Sequence, residues 1–260
     1  MSYNKQIYIA GECMMKVVNK LVKTIRTTKA YDSIKSNKAL RIIKDNYNKK
    51  KYENAQGNVK KQGLQLLVLL KEAFEEIGHD FWLDYGTLLG AIREKDFIGH
   101  DKDLDIGMFD FPDEIKLKLE KILQLKGFTL YKRYELNGKI IEESYNYNGA
   151  HVDFFFYHHG EEGKVWCYFC EMGTNLQFEN TEDYQIAKGY NNHLVISRFS
   201  GLIPYEFKGE TFNIPSNYEE YIIDNYGETY MIVDENWVNG SSPKNITFSE
   251  KGEVTSKEYM

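Results

Sequence analysis

The chain has 260 residues and a hydrophobic content of 42%, which fits one domain with a packed core plus an appendage. Its 3 cysteines (Cys13, Cys167 and Cys170) are too few for a disulfide framework and suit a reducing compartment. No apolar run approaches bilayer length and the N-terminus lacks the pattern of a secretory signal, so a cytoplasmic protein is expected.

The net charge of -6 conceals an asymmetry, because residues 1–61 carry 15 Lys+Arg against 4 Asp+Glu while the remainder carries 18 against 35. Residues 1–57 read as a basic helical arm, in which Ile7, Ile9, Met14, Met15, Val17, Val18, Leu21 and Val22 are interspersed with Lys16, Lys20, Lys23 and Arg26. Such a helix can lie on an anionic membrane, so residues 1–55 are a candidate peripheral membrane contact. A solvated basic face or a self-association segment is the alternative. No nucleic-acid partner is expected.

Asn54–Asn58, polar and containing Gly57, reads as a linker into a domain over 58–238. From Val59 to Ile77 the apolar residues Leu64, Leu66, Leu67, Leu69, Leu70, Ala73, Phe74 and Ile77 recur at helical spacing, and Gly78 is a stop. Phe81–Asp84 reads as a strand, Gly86–Glu94 as a helix and Asp103–Met108 as a strand. Pro112 opens a helix over Asp113–Leu125. Asn137-Gly138 marks a hairpin between Phe128–Leu136 and Lys139–Tyr147. A strand over His151–Tyr157 is expected to pair with Lys164–Phe169. Asn175–Ser200 is weakly patterned, and Ile203–Phe207 and Thr211–Ile214 read as short strands. Ser216 is expected to cap a helix to Asn225 in a capping box with Glu219. Residues 239–260 look loose. This order gives an α/β (α+β) fold, a mixed sheet flanked by helices.

The chemistry concentrates in Phe81–Met108. A strand running through Gly86-Thr87 into a helix offers backbone N–H groups that can hold a phosphate. On a strand, Asp103 and Asp105 share a face, and two adjacent carboxylates repel unless a hard cation such as Mg²⁺ or Mn²⁺ lies between them. Asp101 precedes the strand and either completes such a shell or caps a loop. Asp153 stands in the apolar run His151–Tyr157, where a lone carboxylate is costly without a partner, and the same ion supplies one. Arg93 either neutralises phosphate charge or pairs with an aspartate. A phosphate cradle facing a metal site is the equipment of phosphoryl or nucleotidyl transfer. Cys167-x-x-Cys170 with His158-His159 reads as core or edge rather than zinc, since residues three apart on a strand face opposite ways. No Ser–His–Asp triad, Walker loop or Rossmann fingerprint is present.

Gly86-Thr87-Leu88-Leu89-Gly90-Ala91-Ile92-Arg93, Phe97-Ile98, Asp101-x-Asp103-x-Asp105-Ile106, Val152-Asp153-Phe154-Phe155 and the later Phe207-x-Gly209-x-x-Phe212-x-Ile214-Pro215 together resemble the LicD family of the nucleotidyltransferase superfamily. The resemblance covers roughly residues 65 to 232 in order. It implies a nucleotidyltransferase-like fold and transfer of phosphocholine or a polyol phosphate from a CDP-activated donor (CDP-choline or CDP-polyol) to a hydroxyl. The acceptor it implies is a cell-surface glycan or lipid-linked precursor, as in polysaccharide, lipopolysaccharide or teichoic acid assembly. In such an enzyme Asp103 and Asp105 hold Mg²⁺, Gly86 and Thr87 meet the donor phosphates, and Asp153 ligates metal or takes the acceptor's proton. Gly99-His100 and Lys102 depart from the family pattern, which bears on donor selectivity, and Lys102 is expected to point away from Asp103. A DxD glycosyltransferase using a nucleotide-sugar and a non-catalytic scaffold of the same fold are the rival readings.

Overall fold

The structure, a computed structural model, describes residues 38–161, 163–234, 237, 242–249 and 252–259. Most of the expected membrane-binding arm, residues 1–37, lies outside them. Helix α1 (Lys38–Ile77) runs for 40 residues, so the linker expected at Asn54–Asn58 is instead helix. Contacts with distant parts of the chain hold this polar stretch. The Tyr52 hydroxyl and the Gln56 amide donate to the His100 carbonyl at 2.8 and 2.9 Å, and Asn58 donates to the Gly149 carbonyl at 3.0 Å. Tertiary bonding thereby overrides weak local propensity. Further along, Leu66, Leu67, Leu70, Ala73 and Phe74 are buried, and the Phe74 ring packs on Phe81 and Phe154 at 5.0 and 5.9 Å between centroids.

After α1 come β1 (Trp82–Leu83), α2 (Tyr85–Arg93), β2 (Asp103–Phe109), α3 (Asp113–Leu125), β3 (Thr129–Leu136), β4 (Lys139–Tyr147) and β5 (Ala150–His159). They continue with β6 (Lys164–Asn180), β7 (Tyr184–Arg198), β8 (Leu202–Phe207), β9 (Glu210–Pro215), α4 (Tyr218–Tyr226), β10 (Ile246–Ser249) and β11 (Val254–Tyr259). Among the described residues all the strands join one mixed sheet in the order β10-β7-β11-β3-β4-β5-β2-β1-β9-β8, with β6 pairing both β5 and β7. The β2–β5 and β1–β9 pairs are parallel. Because β6 links β5 to β7, and β7 returns to β5 through β11, β3 and β4, these six strands close a hydrogen-bonded circuit.

Three expectations need correction. The weakly patterned 175–200 region forms the distal end of β6 and the whole of β7. No residue after Cys170 in β6 is buried, so there is no apolar alternation to read, and the backbone ladder defines the strand. Lys164–Phe169 pairs mainly with β7, meeting β5 only at Trp166 and Val165. The tail expected to be loose contributes β10, against β7, and β11, inserted between β3 and β7. Val254 and Ser256 are buried there. The α4 cap is also different. Asn217 precedes the helix without a side-chain capping bond, and the Ser216 hydroxyl donates instead to the Ser200 carbonyl at 2.8 Å.

Behind the sheet, Arg133 on β3 bridges two acids. Its Nε donates to Glu143 Oε1 at 2.7 Å and its Nη2 to Glu120 Oε2 at 2.8 Å. Glu143 is fully buried, and burial pushes its carboxyl up while Arg133 opposes the rise. Arg133→Met therefore strands a buried charge and is expected to cost about 3–5 kcal/mol in urea denaturation near neutral pH. Adding Glu143→Leu should recover most of that loss.

Candidate active site

Parallel pairing of β2 with β5 places Asp105 directly beside Asp153 and Asp103 beside His151. Strand periodicity then puts Asp103, Asp105 and Asp153 on one face of the sheet, while Leu104, Ile106, Val152 and Phe154 are buried in the core on the other. The first turn of α2 is stitched to β2. Gly86 N–H donates to Asp105 Oδ2 at 3.1 Å, Asp105 N–H donates to Thr87 Oγ1 at 2.7 Å, and Asp84 N–H donates to the Asp105 carbonyl at 3.1 Å. The helix N-terminus thus holds a carboxylate, as its exposed N–H groups and dipole favour.

Local sequence explains this junction. Asp84 caps α2 by accepting from Tyr85 N–H at 2.9 Å, and its Oδ1 also accepts from the Tyr221 hydroxyl at 3.0 Å. Tyr85 takes a left-handed backbone with φ +34, a conformation that is costly for a residue with a Cβ. Its ring is held edge-on to Phe155 at 4.7 Å, and its hydroxyl lies 3.4 Å from the Cys167 sulfur. At Gly86 a Cβ would stand 2.7 Å from Asp101 Oδ2 and 3.2 Å from Asp105 Oδ2. Only glycine lets the acids approach the helix this closely.

The acidic face forms one wall of a cavity of about 260 Å³. Asp101, Asp103, Asp105, Asp153 and Glu142 line it, together with Gly86 and Arg93. Its remaining walls include Phe155 and Phe169, and Tyr226, Tyr230, Trp237, Pro243 and Ile246 from the C-terminal part of the chain. Burial is the first cause that raises every one of these carboxyls; like charge adds to it at Asp101, Asp105, Asp153 and Glu142, while Lys102 opposes it at Asp103. Asp101 rises to about 7, with Asp103 contributing. Asp153 rises to about 7, with Asp103 raising it further and a hydrogen bond from Ser144 opposing. Glu142 rises to about 8, with Asp153 contributing. Asp105 goes well above the usual carboxylate range under burial, Asp103 and Asp153. Such a wall is unfavourable by itself, and its all-oxygen donors fit a hard divalent cation. Among the described residues, no group of three or more His, Cys, Asp or Glu side chains is arranged as a ready metal shell. The acids line a wall and do not converge on a point.

The structure brings Gly86, Arg93, Asp101, Asp103, Asp105 and Asp153 to this one cavity. Thr87 is buried beneath it, with its hydroxyl engaged by Asp105. Arg93 pairs with Glu94 at 2.9 Å and donates to the Tyr230 carbonyl at 3.2 Å, so its acidic partner is the adjacent glutamate. Contrary to expectation, Lys102 turns toward Asp103, with Nζ 3.9 Å from Oδ2. Cys167 and Cys170 are buried free thiols. Sequence reasoning missed Glu142 and the C-terminal wall. Glu142 carried a signal, since the adjacent acids Glu142-Glu143 in a strand point to opposite faces, and two buried acids need two different partners. The wall formed by Tyr226, Tyr230, Trp237, Pro243 and Ile246 carried none, because the contacts that make it are long-range.

The family model "LicD/FKTN/FKRP, nucleotidyltransferase domain" matches residues 78–217. The chain is 27% identical over 190 residues to the ribitol-5-phosphate transferase FKTN of Mus musculus, covering 72% of this chain and 37% of that protein. Against the ribitol 5-phosphate transferase FKRP of Mus musculus it is 25% identical over 158 residues, covering 59% and 28%. It is 40% identical over 79 residues to an uncharacterized protein of Rickettsia prowazekii, covering 28% and 29%. The chain thus spans well under half the length of these relatives.

Two outcomes are expected from the geometry. Thr87→Val leaves the Asp105 N–H without its acceptor and should cost about 1–3 kcal/mol in denaturant melts, whereas Thr87→Ser should cost less. In EDTA, the melting temperature should rise as pH is lowered from roughly 9 to roughly 6. The folded carboxyls, at about 7 for Asp101 and Asp153 and about 8 for Glu142, bind protons more tightly than the unfolded chain. Their stabilising contribution is therefore complete below the ordinary carboxylate range and lost as pH climbs through the folded values. A melting temperature that is flat over this window would contradict the charged wall.

Proposed function

The chain belongs to the LicD/FKTN/FKRP nucleotidyltransferase-domain family, and from that premise we propose that it transfers a phospho-substituent from a CDP-activated donor to a hydroxyl of a glycan or lipid-linked glycan. The named relatives make ribitol 5-phosphate the first group to test, and phosphocholine is the second. The observation that carries the reading is the register of β2 on β5, which sets Asp105 beside Asp153 in a cavity that also holds Asp101, Asp103 and Arg93.

A diphosphate donor is repelled by such a wall unless a cation intervenes. Asp103, Asp105 and Asp153, with Asp101 at the edge, would hold Mg²⁺ or Mn²⁺. When bound, the ion supplies charge neutralisation for the diphosphate and for the departing CMP. Arg93 adds a fixed positive charge on the α2 side. The Gly86 N–H holds the Asp105 carboxylate and the Thr87 hydroxyl holds the Asp105 backbone N–H, so both act through that residue. Tyr226, Tyr230 and Trp237 line the cavity and exclude water from the diphosphate. Positioning and electrostatics together account for most of what phosphoryl transfer requires.

The test is nucleotide release from CDP-ribitol, CDP-glycerol, CDP-choline and UDP-sugars with Mg²⁺ or Mn²⁺. CMP is expected from a CDP donor, with a loss of at least about 100-fold in Asp103→Asn or Asp105→Asn and no turnover in EDTA. Release of UDP from a sugar nucleotide would replace this reading with glycosyl transfer.

A further inference from the structure

We infer that Glu142 is the group that meets the acceptor, taking first the hydrogen bond and then the proton of its attacking hydroxyl; the inference rests on the phosphotransferase reading above. On β4, Ser144 pairs with Asp153 and Glu142 pairs with Phe155. Glu142 therefore lies on the cavity face, one pleat along from Asp153 and on its far side from β2. It lines the cavity and is only 8% exposed. Its Oε2 has no hydrogen-bond partner among the described residues.

The neighbouring acid supplies the contrast. Glu143, on the opposite face, is satisfied within the protein by Arg133 and by the Tyr145 hydroxyl at 3.0 Å. One of two adjacent buried carboxylates is thus fully engaged, while the other faces a ligand-sized space without a donor. A buried acceptor left without a donor costs stability. A hydroxyl arriving with the second substrate supplies the missing donor. Asp103 and Asp105 stand on β2, two strands away across β5, on the order of 10 Å at the usual strand spacing. Glu142 therefore marks the acceptor end of the cavity and β2 the donor end. Phe155 and Phe169 also line the cavity, and aromatic faces beside a hydrogen-bonding carboxylate suit a sugar ring.

In the reaction, the acceptor oxygen bonds to the phosphorus of the transferred group as the bond from that phosphorus to CMP breaks. The hydroxyl proton passes to Glu142, and CMP leaves with the bonding electron pair. Group-transfer chemistry then divides between two carboxylates, with Asp153 assigned to the metal and Glu142 to the proton.

Glu142→Gln keeps the shape and removes the base. With the donor that the wild type turns over, kcat for CMP release should fall by about 100-fold or more. Donor KM and Mn²⁺ affinity by calorimetry should stay within about 3-fold of wild type. Glu142→Asp should fold and recover part of the rate. A Gln variant that keeps more than about one-third of the wild-type rate overturns the assignment, as does one that loses Mn²⁺ together with activity. If the Gln variant does not fold, Glu142→Leu decides, and more than about one-third of the wild-type rate in it overturns the assignment. A wild type that binds Mn²⁺ but releases CMP from no donor defeats the phosphotransferase reading itself, and the inference falls with it.

Discussion

Negative charge has to be held together on the face shared by β2 and β5. Asp105 beside Asp153 is set by a parallel register that the chain cannot shift by one residue without turning Leu104 and Ile106 out of the core. Surrounding features then serve to hold the acids where repulsion would scatter them. The α2 N-terminus donates to Asp105 through Gly86, and Thr87 accepts the Asp105 N–H. The absence of a side chain at Gly86 leaves room for Asp101 and Asp105. These are small contributions individually, and they converge on Asp105, on its carboxylate and on its backbone N–H. The wall is preorganised before any ligand arrives, which is the condition for electrostatic catalysis.

That preorganisation is paid for at Tyr85. A left-handed tyrosine at the start of a helix costs roughly 1–2 kcal/mol, and it persists because its ring and hydroxyl are both fixed, against Phe155 and Cys167. Below it, Asp84 is wholly buried and raised to about 6 by desolvation, against hydrogen bonds that oppose the rise. Tyr221 ties this capping residue to the Tyr157 hydroxyl at 2.9 Å. Helix α4 therefore reaches the site through the buried Tyr221 hydroxyl and, at its last residue, through Tyr226 in the cavity wall, although it contributes no acid to the wall.

Most of this was legible in the sequence where local signals are strong. Pro112 and Asn137-Gly138 set the limits of α3 and the β3–β4 hairpin almost to the residue. The GTLLGAIR and DxDxD runs located α2 and β2, and the apolar run around Asp153 located β5. Legibility failed where the determining contacts are distant. Polar Asn54–Asn58 is helical because the loop at His100 and the turn at Gly149 hold it. The distal part of β6 has no buried residue, and on the facing part of β7 the buried positions include polar Gln185 and Asn192 beside Ala187, so the sequence has no apolar period to detect. Short β10 and β11 follow a polar stretch and become strands only because β3 and β7 offer edges to pair with. Among site residues, the acids in ordered motifs were found, whereas Glu142 needed the register of β4 on β5 to reveal which of two adjacent glutamates faces the cavity.

The same division separates the floor of the site from its cover. Asp101, Asp103, Asp105, Asp153 and Glu142, and the helix that holds Asp105, fall within residues 78–217, the segment shared with the family. Tyr226, Tyr230, Trp237, Pro243 and Ile246 lie beyond it, and β10 fixes that cover by pairing with β7. The β7 strand in turn belongs to the circuit that includes β4 and β5, so cover and acceptor end share one framework while the donor end rests on β2 and α2. On the proposed reading, charge handling and substrate selection use separable parts of the fold. The first depends on a register that tolerates no slip. The second depends on aromatic and apolar side chains whose replacement leaves the carboxylate wall intact, and the choice of transferred group is expected to be written there.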